Sequence, residues 1–259
     1  MPTSAREKLD LSCGDSHSPS PRRQMALRVG GHPVRPQNLQ VLPKTLSTDS
    51  VFALMLDVAN SLGVSCGHCH VGGDNATWDS TNFASDAIAV KNLARSMFKL
   101  TNTLNNELLP AIVRPAGRPV VVTCMTCHRG ALRPMTLQDT LSRVLDREGV
   151  DSAIAVYERI RQHYAGQMTY DLTEFSLSEL ATRLEDSKRV IEAVRILELN
   201  AREFPMSANV AYQLGGAYEL AGDRQHAITL YHKVLSIDPG HSAADKHLRA
   251  LMAESKPPA

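Results

Sequence analysis

The chain has 259 residues, a net charge of +1 and an aromatic content of only 5%. This length allows about two domains. A charge so close to zero argues against nucleic acid, or any other polyanion, as a partner bound through a basic surface, so no nucleic acid partner is expected. The scarcity of aromatic rings also means that large side chains fill little of the core.

Residues 1–37 are rich in Ser, Pro and Arg, and this composition predicts disorder. Cys13 within this segment is expected to be a free thiol without a function. The segment contains no apolar run long enough for a secretory signal, and no later segment reaches the roughly 18 apolar residues of a membrane span.

Residues 38–43 are expected to form an extended lead-in that packs on the domain that follows. The first predicted helix begins at Ser47 or Thr48, both of which suit the N-cap position. Apolar residues then recur at helical spacing as far as Leu62. Gly63 is expected to end the helix as its C′ residue.

A pentapeptide with the pattern Cys-x-x-Cys-His follows this helix and occurs again later. Its two copies comprise Cys66, Cys69 and His70, and Cys124, Cys127 and His128. The pattern is typical of covalently attached c-type haem. Two thiols about one helical turn apart can each form a thioether with a porphyrin vinyl group, and the adjacent histidine then lies under the iron as its proximal ligand. We therefore predict two covalent haem c groups.

Two other interpretations fit the cysteine pairs alone. Together the pairs could form a four-thiolate zinc site, but 54 residues lie between Cys69 and Cys124. Compact zinc modules have roughly 12–20 residues at this position. Disulfides or redox-active Cys-x-x-Cys motifs would leave both trailing histidines without a role.

The helix before the first motif carries a candidate for the sixth iron ligand. Met55 lies about two turns before the end of the helix, which can fold back over the haem face opposite His70. A thioether sulfur is an established axial ligand of haem iron, so Met55 is predicted to bind the first iron. The alternative is that Met55 is an ordinary core methionine.

A second helix is predicted to begin at Asp86 and to run to Leu104. Met97 is the only methionine on it, so Met97 is predicted to bind the second iron. Met135, which follows the second motif closely, is its main rival.

Residues 38–133 resemble the cytochrome subunit family of photosynthetic reaction centres. The matching residues are Met55, Leu62-Gly63-Val64 before the first motif, Ala94-Arg95-Ser96-Met97, and Thr123 to Gly130 around the second motif. The resemblance implies that a helix with an axial methionine precedes each haem. The chain differs from the reaction-centre subunit in having two such units instead of four, which suits shorter two-haem relatives of non-photosynthetic bacteria.

Sequence repeats follow the haem motifs. Residues 208–241 match the 34-residue tetratricopeptide pattern, and residues 174–207 repeat it. The pattern is carried by Leu214-Gly215, Tyr218, Ala227, Tyr231 and Pro239, and by Leu180-Ala181, Leu184, Ala193, Leu197 and Pro205. Residues 136–173 are interpreted as a degenerate repeat, and residues 242–253 as the capping helix.

The predicted fold is therefore all-α, with a dihaem cytochrome domain over residues 38–135 and a tetratricopeptide solenoid over residues 136–259. A short solenoid usually offers a groove to a protein or peptide. The alternative is that so few repeats only brace the haem domain.

These features predict an electron-transfer protein and not an enzyme, because His/Met ligation leaves no open iron position for oxygen or peroxide. The expected partners are redox proteins, including a membrane respiratory complex. Because haem c is attached outside the bacterial cytoplasmic membrane, the chain is expected in the periplasm or on the outer face of that membrane. The alternatives are a dihaem peroxidase and a repeat scaffold with structural or sensory haems.

Overall fold

The computed structural model describes residues 35–72, 81–112 and 120–254. Cys13 and most of the predicted disordered segment lie outside these residues. The described residues contain helices and no strand apart from one isolated bridge between Val71 and Asn82. The prediction of an all-α fold is confirmed. None of the described helices combines the length and the apolar character that crossing a membrane requires.

The chain divides into two compact units between Met125 and Thr126. The boundary predicted at residue 135 lies ten residues further along and stays a prediction. The helices of the first unit are α1 (Thr48–Leu62), a 3₁₀ turn (Cys66–His68), α2 (Val90–Thr103), a π turn (Leu104–Leu108), a short α turn (Leu109–Ala111) and the beginning of α3 (Cys124–His128).

Helix α1 begins and ends where its capping residues predict. The Ser47 hydroxyl accepts a hydrogen bond from the Ser50 backbone N–H at 3.2 Å, which satisfies one of the unpaired donors of the first turn. Gly63 has a φ of 66°, and its N–H is directed at the carbonyl oxygens of Ala59 and Asn60. A side chain would disfavour this left-handed conformation, so glycine suits the position.

Helix α2 begins at Val90, four residues after the predicted start. Asp86 is not its N-cap, because the Asp86 carboxylate instead accepts hydrogen bonds from Arg95 and Asn38. The prediction that Asp86 opens the helix is therefore wrong. A carboxylate that binds two long-range donors is not available for a helix N-terminus.

The first unit buries little apolar surface. Leu54 is the only buried hydrophobic residue among those described before Thr126. On α2, a stripe formed by Leu93, Met97 and Leu100 is 40–58% exposed. These three residues have the i, i+4, i+7 spacing of one helix face, so the stripe is an apolar face that no described protein segment covers.

The second unit is a stack of helix pairs. Its helices are α4 (Leu137–Glu148), α5 (Val150–Tyr164), α6 (Glu174–Asp186), α7 (Val190–Glu203), α8 (Ala208–Leu220), α9 (Arg224–Ile237) and α10 (Ser242–Glu254). Helix α4 packs on α5, α6 on α7, and α8 on α9, and the first helix of each pair also packs on the first helix of the next pair. Helix α10 packs on α9. This is the architecture of a tetratricopeptide solenoid.

Small residues allow close packing within each pair. Ala153, Ala193 and Ala227 occupy equivalent positions of the three repeats, and all are fully buried. A Cβ atom on Gly215 would lie 2.9 Å from Cε1 of the buried Tyr231 ring. The pair α8–α9 therefore depends on the absence of a side chain at residue 215.

Ion pairs join the first repeat to the second along the outside of the stack. Their N–O distances range from 2.5 to 3.1 Å, and the pairs are Arg183–Asp139, Arg189–Asp146, Arg195–Asp151, Arg202–Glu158 and Arg161–Glu203. Most of these side chains are well exposed. The pair Arg161–Glu203 is the most enclosed, with Glu203 only 18% exposed.

Candidate haem sites

The first motif forms one tight turn. The N–H groups of Cys69 and His70 both donate to the Cys66 carbonyl oxygen, at 3.2 and 3.0 Å. Both cysteines are half-buried. This turn brings together the two thiols and the histidine that the sequence predicts to bind the first haem.

His70 is half-buried against Phe83. The two ring centroids are 5.1 Å apart in an edge-on arrangement. The bridge between Val71 and Asn82 holds the adjoining backbones together, with Asn82 N–H donating to Val71 O at 3.0 Å. The His70 Nδ1 atom is buried without a hydrogen-bond partner among the described residues. A buried ring nitrogen left in this state is a candidate for a ligand-dependent role.

His68, inside the same motif, also has a buried ring nitrogen. Its Nε2 atom has no hydrogen-bond partner in the described part of the chain. The His68 side chain is half-buried.

A lysine is fixed beside this turn. Lys91 Nζ donates to the carbonyl oxygens of Phe83, Ala84 and Ser85 at 2.8–3.2 Å. Burial lowers the pKa of His70, and the charge of Lys91 lowers it further. Burial raises the pKa of the Cys69 thiol. The turn is thus half-buried and has a positive charge close to the histidine.

The lead-in segment completes this arrangement. The Asn38 side-chain amide donates to Ala84 O at 2.6 Å and to Asp86 Oδ1 at 2.9 Å, and Gln40 Nε2 donates to Asp86 Oδ2 at 3.2 Å. The Arg95 guanidinium also donates to Asp86 Oδ1 at 2.7 Å. The hydrogen bonds from Arg95 and Asn38 hold the pKa of Asp86 far below its usual range. Asp86 therefore ties the lead-in and α2 to the segment beside His70.

The second motif is the short helix α3, in which Cys124 is half-buried and Cys127 is exposed. The helical turn places the two cysteines three residues apart on one face. His128 Nδ1 lies 3.1 Å from Ala131 O. Because a carbonyl oxygen can only accept, Nδ1 carries the hydrogen, and Nε2 is the nitrogen left to bind a metal. This is the usual orientation of a metal-binding histidine.

The loop after His128 is held by a residue far along the chain. Arg129 and Gly130 both have left-handed backbones, with φ of 48° and 87°. The hydroxyl of the buried Thr169 donates to Arg129 O at 2.5 Å. Thr169, in the loop between α5 and α6, thus fixes the segment that contains Ala131 O, the acceptor for His128. No periodic pattern in the sequence points to Thr169.

The approach to the second motif is held by a side-chain amide. Asn105, in the π turn after α2, donates to Val122 O and accepts from Val122 N–H, both at 2.8 Å. This pair of bonds imitates a β-bridge and fixes the backbone two residues before Cys124. A π turn is often found at functional sites, but it has no clear signature in sequence.

The predicted methionine ligands lie on the predicted helices. Met55 is half-buried on α1, next to the buried Leu54. Met97 is in the middle of the exposed apolar stripe of α2. Met135 is half-buried in the loop before α4. Ligation by Met55 or Met97 stays a prediction.

The side chains present fit covalent haem. Each motif is a single helical turn with its thiols on one face. His128 has the tautomer that a proximal ligand requires, and His70 is half-buried in the same turn as its two thiols. Apolar side chains around the motifs are uncovered. None of the four motif cysteines forms a disulfide, and the described residues contain no cluster of three or more His, Cys, Asp or Glu side chains that would suit a zinc ion.

Comparison with known proteins agrees with this chemistry. The family described as "Photosynthetic reaction centre cytochrome C subunit" matches residues 15–82 and 72–193, which together exceed half of the chain. The reaction center cytochrome c subunit of Rubrivivax gelatinosus is 25% identical over 95 residues, which is 34% of this chain and 24% of that protein. The corresponding subunit of Thermochromatium tepidum is 34% identical over 86 residues, or 32% of this chain and 21% of that protein. The chain thus spans about a quarter of the length of these relatives.

Solved structures similar to the chain are tetratricopeptide domains and MamA. The first repeat domain of Spaghetti (RPAP3), bound to an HSP90 peptide, has 17% identity and a TM-score of 0.33, covering 46% of this chain and 91% of that one. The Sgt2 domain of Aspergillus fumigatus has 19% identity and a TM-score of 0.33, covering 48% and 83%. MamA has 20% identity and a TM-score of 0.30, covering 46% and 71%.

Because the family match covers more than half of the chain and includes both Cys-x-x-Cys-His motifs, the chain belongs to the family of photosynthetic reaction centre cytochrome c subunits, here joined to a tetratricopeptide solenoid.

Proposed function

We propose that this protein transfers electrons through two covalently attached haem c groups. The thioether bonds form at Cys66 and Cys69 for the first haem, and at Cys124 and Cys127 for the second. His70 and His128 are the proximal ligands, and Met55 and Met97 are the sixth ligands.

The observation that carries this proposal is the uncovered apolar surface of the first unit. Among the described residues before Thr126, only Leu54 is a buried hydrophobic residue, whereas Leu93, Met97 and Leu100 form an exposed stripe. A domain with so small a core is not expected to be stable in water by itself. A large apolar group that packs on this stripe would supply the missing core. The Met97 sulfur would then lie in contact with that group.

When bound, haem supplies one-electron chemistry through its iron. The chain's own residues fix and enclose the group. The four thiols anchor it covalently, and His128, oriented by the Ala131 carbonyl, presents Nε2. Met55 and Met97 would each supply a sulfur ligand to one iron, which would leave the iron closed to peroxide, and the apolar stripe would exclude water. No residue needs to act as a general acid or base.

The proposed partners are other redox proteins, including a membrane respiratory complex, with a protein or peptide held by the solenoid. A location in the periplasm or on the outer face of the cytoplasmic membrane is proposed because haem c is attached there. The packed helix pairs α4 to α9 support the role of the solenoid, since stacked repeats form an extended binding surface.

The direct test is the mass and the haem stain of protein produced with a functional haem c attachment system. We expect a mass increase of two haem groups, reduced to one by Cys66→Ala/Cys69→Ala and to one by Cys124→Ala/Cys127→Ala. An unmodified mass would refute the proposal.

Axial ligation is tested by Met55→Ala and Met97→Ala. Each substitution should abolish the sulfur-to-iron charge-transfer band of one haem and leave the other band in place, because each sulfur binds one iron. Met135→Ala is the matched control and should retain both bands. A high-spin component that reacts rapidly with peroxide in the unsubstituted protein would favour a dihaem peroxidase instead.

A further inference from the structure

A cluster of charged side chains lies beside the first motif, and haem attachment does not require any of them. It consists of Lys91, Arg95 and Asp86, with Asp86 3.2 Å from the Lys91 ammonium and 2.7 Å from the Arg95 guanidinium. Two cations and one anion leave the cluster with one positive charge.

The two cations are largely removed from solvent. The Lys91 and Arg95 side chains are each 12% exposed, whereas the Asp86 side chain is 37% exposed. Salt and water screen enclosed charges much less than surface charges. The field of the cluster therefore acts on the groups nearest to it.

The Lys91 ammonium is fixed in place, because its three N–H groups have acceptors in three successive carbonyl oxygens, those of Phe83, Ala84 and Ser85. The first of these residues, Phe83, also packs its ring against the His70 imidazole at 5.1 Å. The charge is thus fixed on the side of the turn that carries the proximal histidine.

Given the proposed haem at His70, we propose that the Lys91 ammonium is a positioned charge that raises the reduction potential of the first haem. A fixed positive charge opposes removal of an electron from iron nearby, because the oxidised centre carries one more positive charge. Asp86 has the opposite effect and moderates it. The residues play no part in electron transfer itself, and they act only through the field at the iron.

The test is a redox titration of the two-haem protein and four variants. In Lys91→Gln, the oxidised-to-reduced ratio of the first haem should rise about tenfold at a fixed ambient potential, as expected for a unit charge at about 12 Å and an effective dielectric constant of about 20. For a one-electron couple this is a fall of about 59 mV in midpoint potential. Lys91→Arg retains the charge and should keep most of the potential. Asp86→Asn should shift the first haem in the opposite direction.

Lys99→Gln is the matched control, because it removes the same charge from an exposed position on the same helix. It should leave both potentials unchanged. The wave that belongs to the first haem is the one that Cys66→Ala/Cys69→Ala abolishes. The second haem should not move in any of the four variants.

Mass spectrometry of every variant separates the possible failures. If both haems are attached but Lys91→Gln leaves the first potential in place, the inference is wrong and the proposed function stands. If Lys91→Gln and Asp86→Asn both lower the potential, Lys91 acts through structure and not through charge, which also overturns the inference. If no haem is attached to the unsubstituted protein, the proposed function fails and the inference fails with it.

Discussion

Gly215 is where the packing of α8 against α9 leaves no space for a methyl group. A Cβ atom there would lie 2.9 Å from Tyr231 Cε1, and the ring cannot move freely because it is fully buried and its hydroxyl donates to Glu219 Oε2 at 2.8 Å. We expect Gly215→Ala to lower the free energy of unfolding by about 1–3 kcal/mol, the usual cost of overpacking, despite the better helix propensity of Ala. Chemical denaturation followed by circular dichroism measures it.

Gly216→Ala is the control for this substitution. Its Cβ atom would have only one neighbour within 4 Å, the Tyr231 hydroxyl oxygen at 3.9 Å, which is ordinary contact. We expect a gain of up to about 1 kcal/mol, since Ala is the better helix former. Equal effects of the two substitutions would show that helix propensity, and not the tyrosine ring, controls stability at this turn.

Thr169 contacts the loop beside the proposed second haem site through one hydrogen bond, from its hydroxyl to Arg129 O. Thr169→Val keeps the shape but removes the donor to Arg129 O, and we expect a loss of about 1 kcal/mol in stability. The substitution should also change the electron paramagnetic resonance spectrum of the haem at His128, because the loop holds the acceptor for the His128 Nδ1 hydrogen.

Thr169→Ser keeps the hydroxyl and should restore both the stability and the spectrum. If the valine variant loses stability while both haem spectra remain unchanged, Thr169 only supports the fold. The substitutions do not alter any proposed ligand.

Among individual residues, the sequence predicts those that belong to a short motif with fixed spacing. The two Cys-x-x-Cys-His motifs are evident because their chemistry requires a fixed spacing within one turn. Asn105, Thr169 and Lys91 have no such spacing, since their acceptors are backbone carbonyls brought near by folding. The sequence therefore predicts the groups that would bind haem and misses those that position them.

Among the helices, periodicity and caps predict α1 closely, because Ser47 and Gly63 serve their own helix. The start of α2 is misplaced because Asp86 serves residues 38, 91 and 95 instead. In the sequence, an aspartate that caps a helix cannot be distinguished from an aspartate that accepts hydrogen bonds from distant residues. Only the fold distinguishes them.

The ion pairs between the first two repeats should differ greatly in how much each contributes to the free energy of unfolding. Glu203 is 18% exposed and pairs with Arg161, whereas Asp151 is 82% exposed and pairs with Arg195. We expect Glu203→Gln to cost about 1 kcal/mol and Asp151→Asn less than about 0.5 kcal/mol, because enclosed pairs are less screened and more firmly ordered. Urea denaturation at low salt measures both.

Repeating the denaturation at high salt provides a second test of the same ion pairs. It should remove the effect of Asp151→Asn and leave most of the effect of Glu203→Gln. Equal costs for the two substitutions at low salt would contradict this ranking.

The two units differ in what holds them together. The helices of the second unit bury two apolar clusters, one that includes Leu141, Tyr157 and Ile196 and one around Tyr231, whereas the described part of the first unit has Leu54 alone. A repeat solenoid is stabilised by contacts between neighbouring helix pairs, so it needs no cofactor. The first unit, in the proposed function, needs its haems.

A variant without haem attachment tests this difference. In Cys66→Ala/Cys69→Ala/Cys124→Ala/Cys127→Ala, hydrogen exchange should remain slow in α4 to α9 and become fast in α1 and α2. The reason is that the second unit keeps its core and the first has lost the group that completes its own. The haem-loaded protein is the control and should protect both regions.

Slow exchange in α1 and α2 of the quadruple variant would show that the first unit folds without haem. Fast exchange throughout the chain would show that the solenoid depends on the haem domain. The expected result differs from both: exchange is fast in α1 and α2 and slow in α4 to α9 of the same molecule.

The hydrogen bond from Thr169 to Arg129 also has a mechanical consequence. It connects the loop between α5 and α6 to the backbone that restrains His128, although the two loops are 40 residues apart in the chain. A displacement of the α5–α6 loop is therefore expected to displace the segment that carries Ala131 O, the acceptor of the His128 hydrogen. With haem attached as proposed, this displacement would change the donor strength of His128 toward the iron.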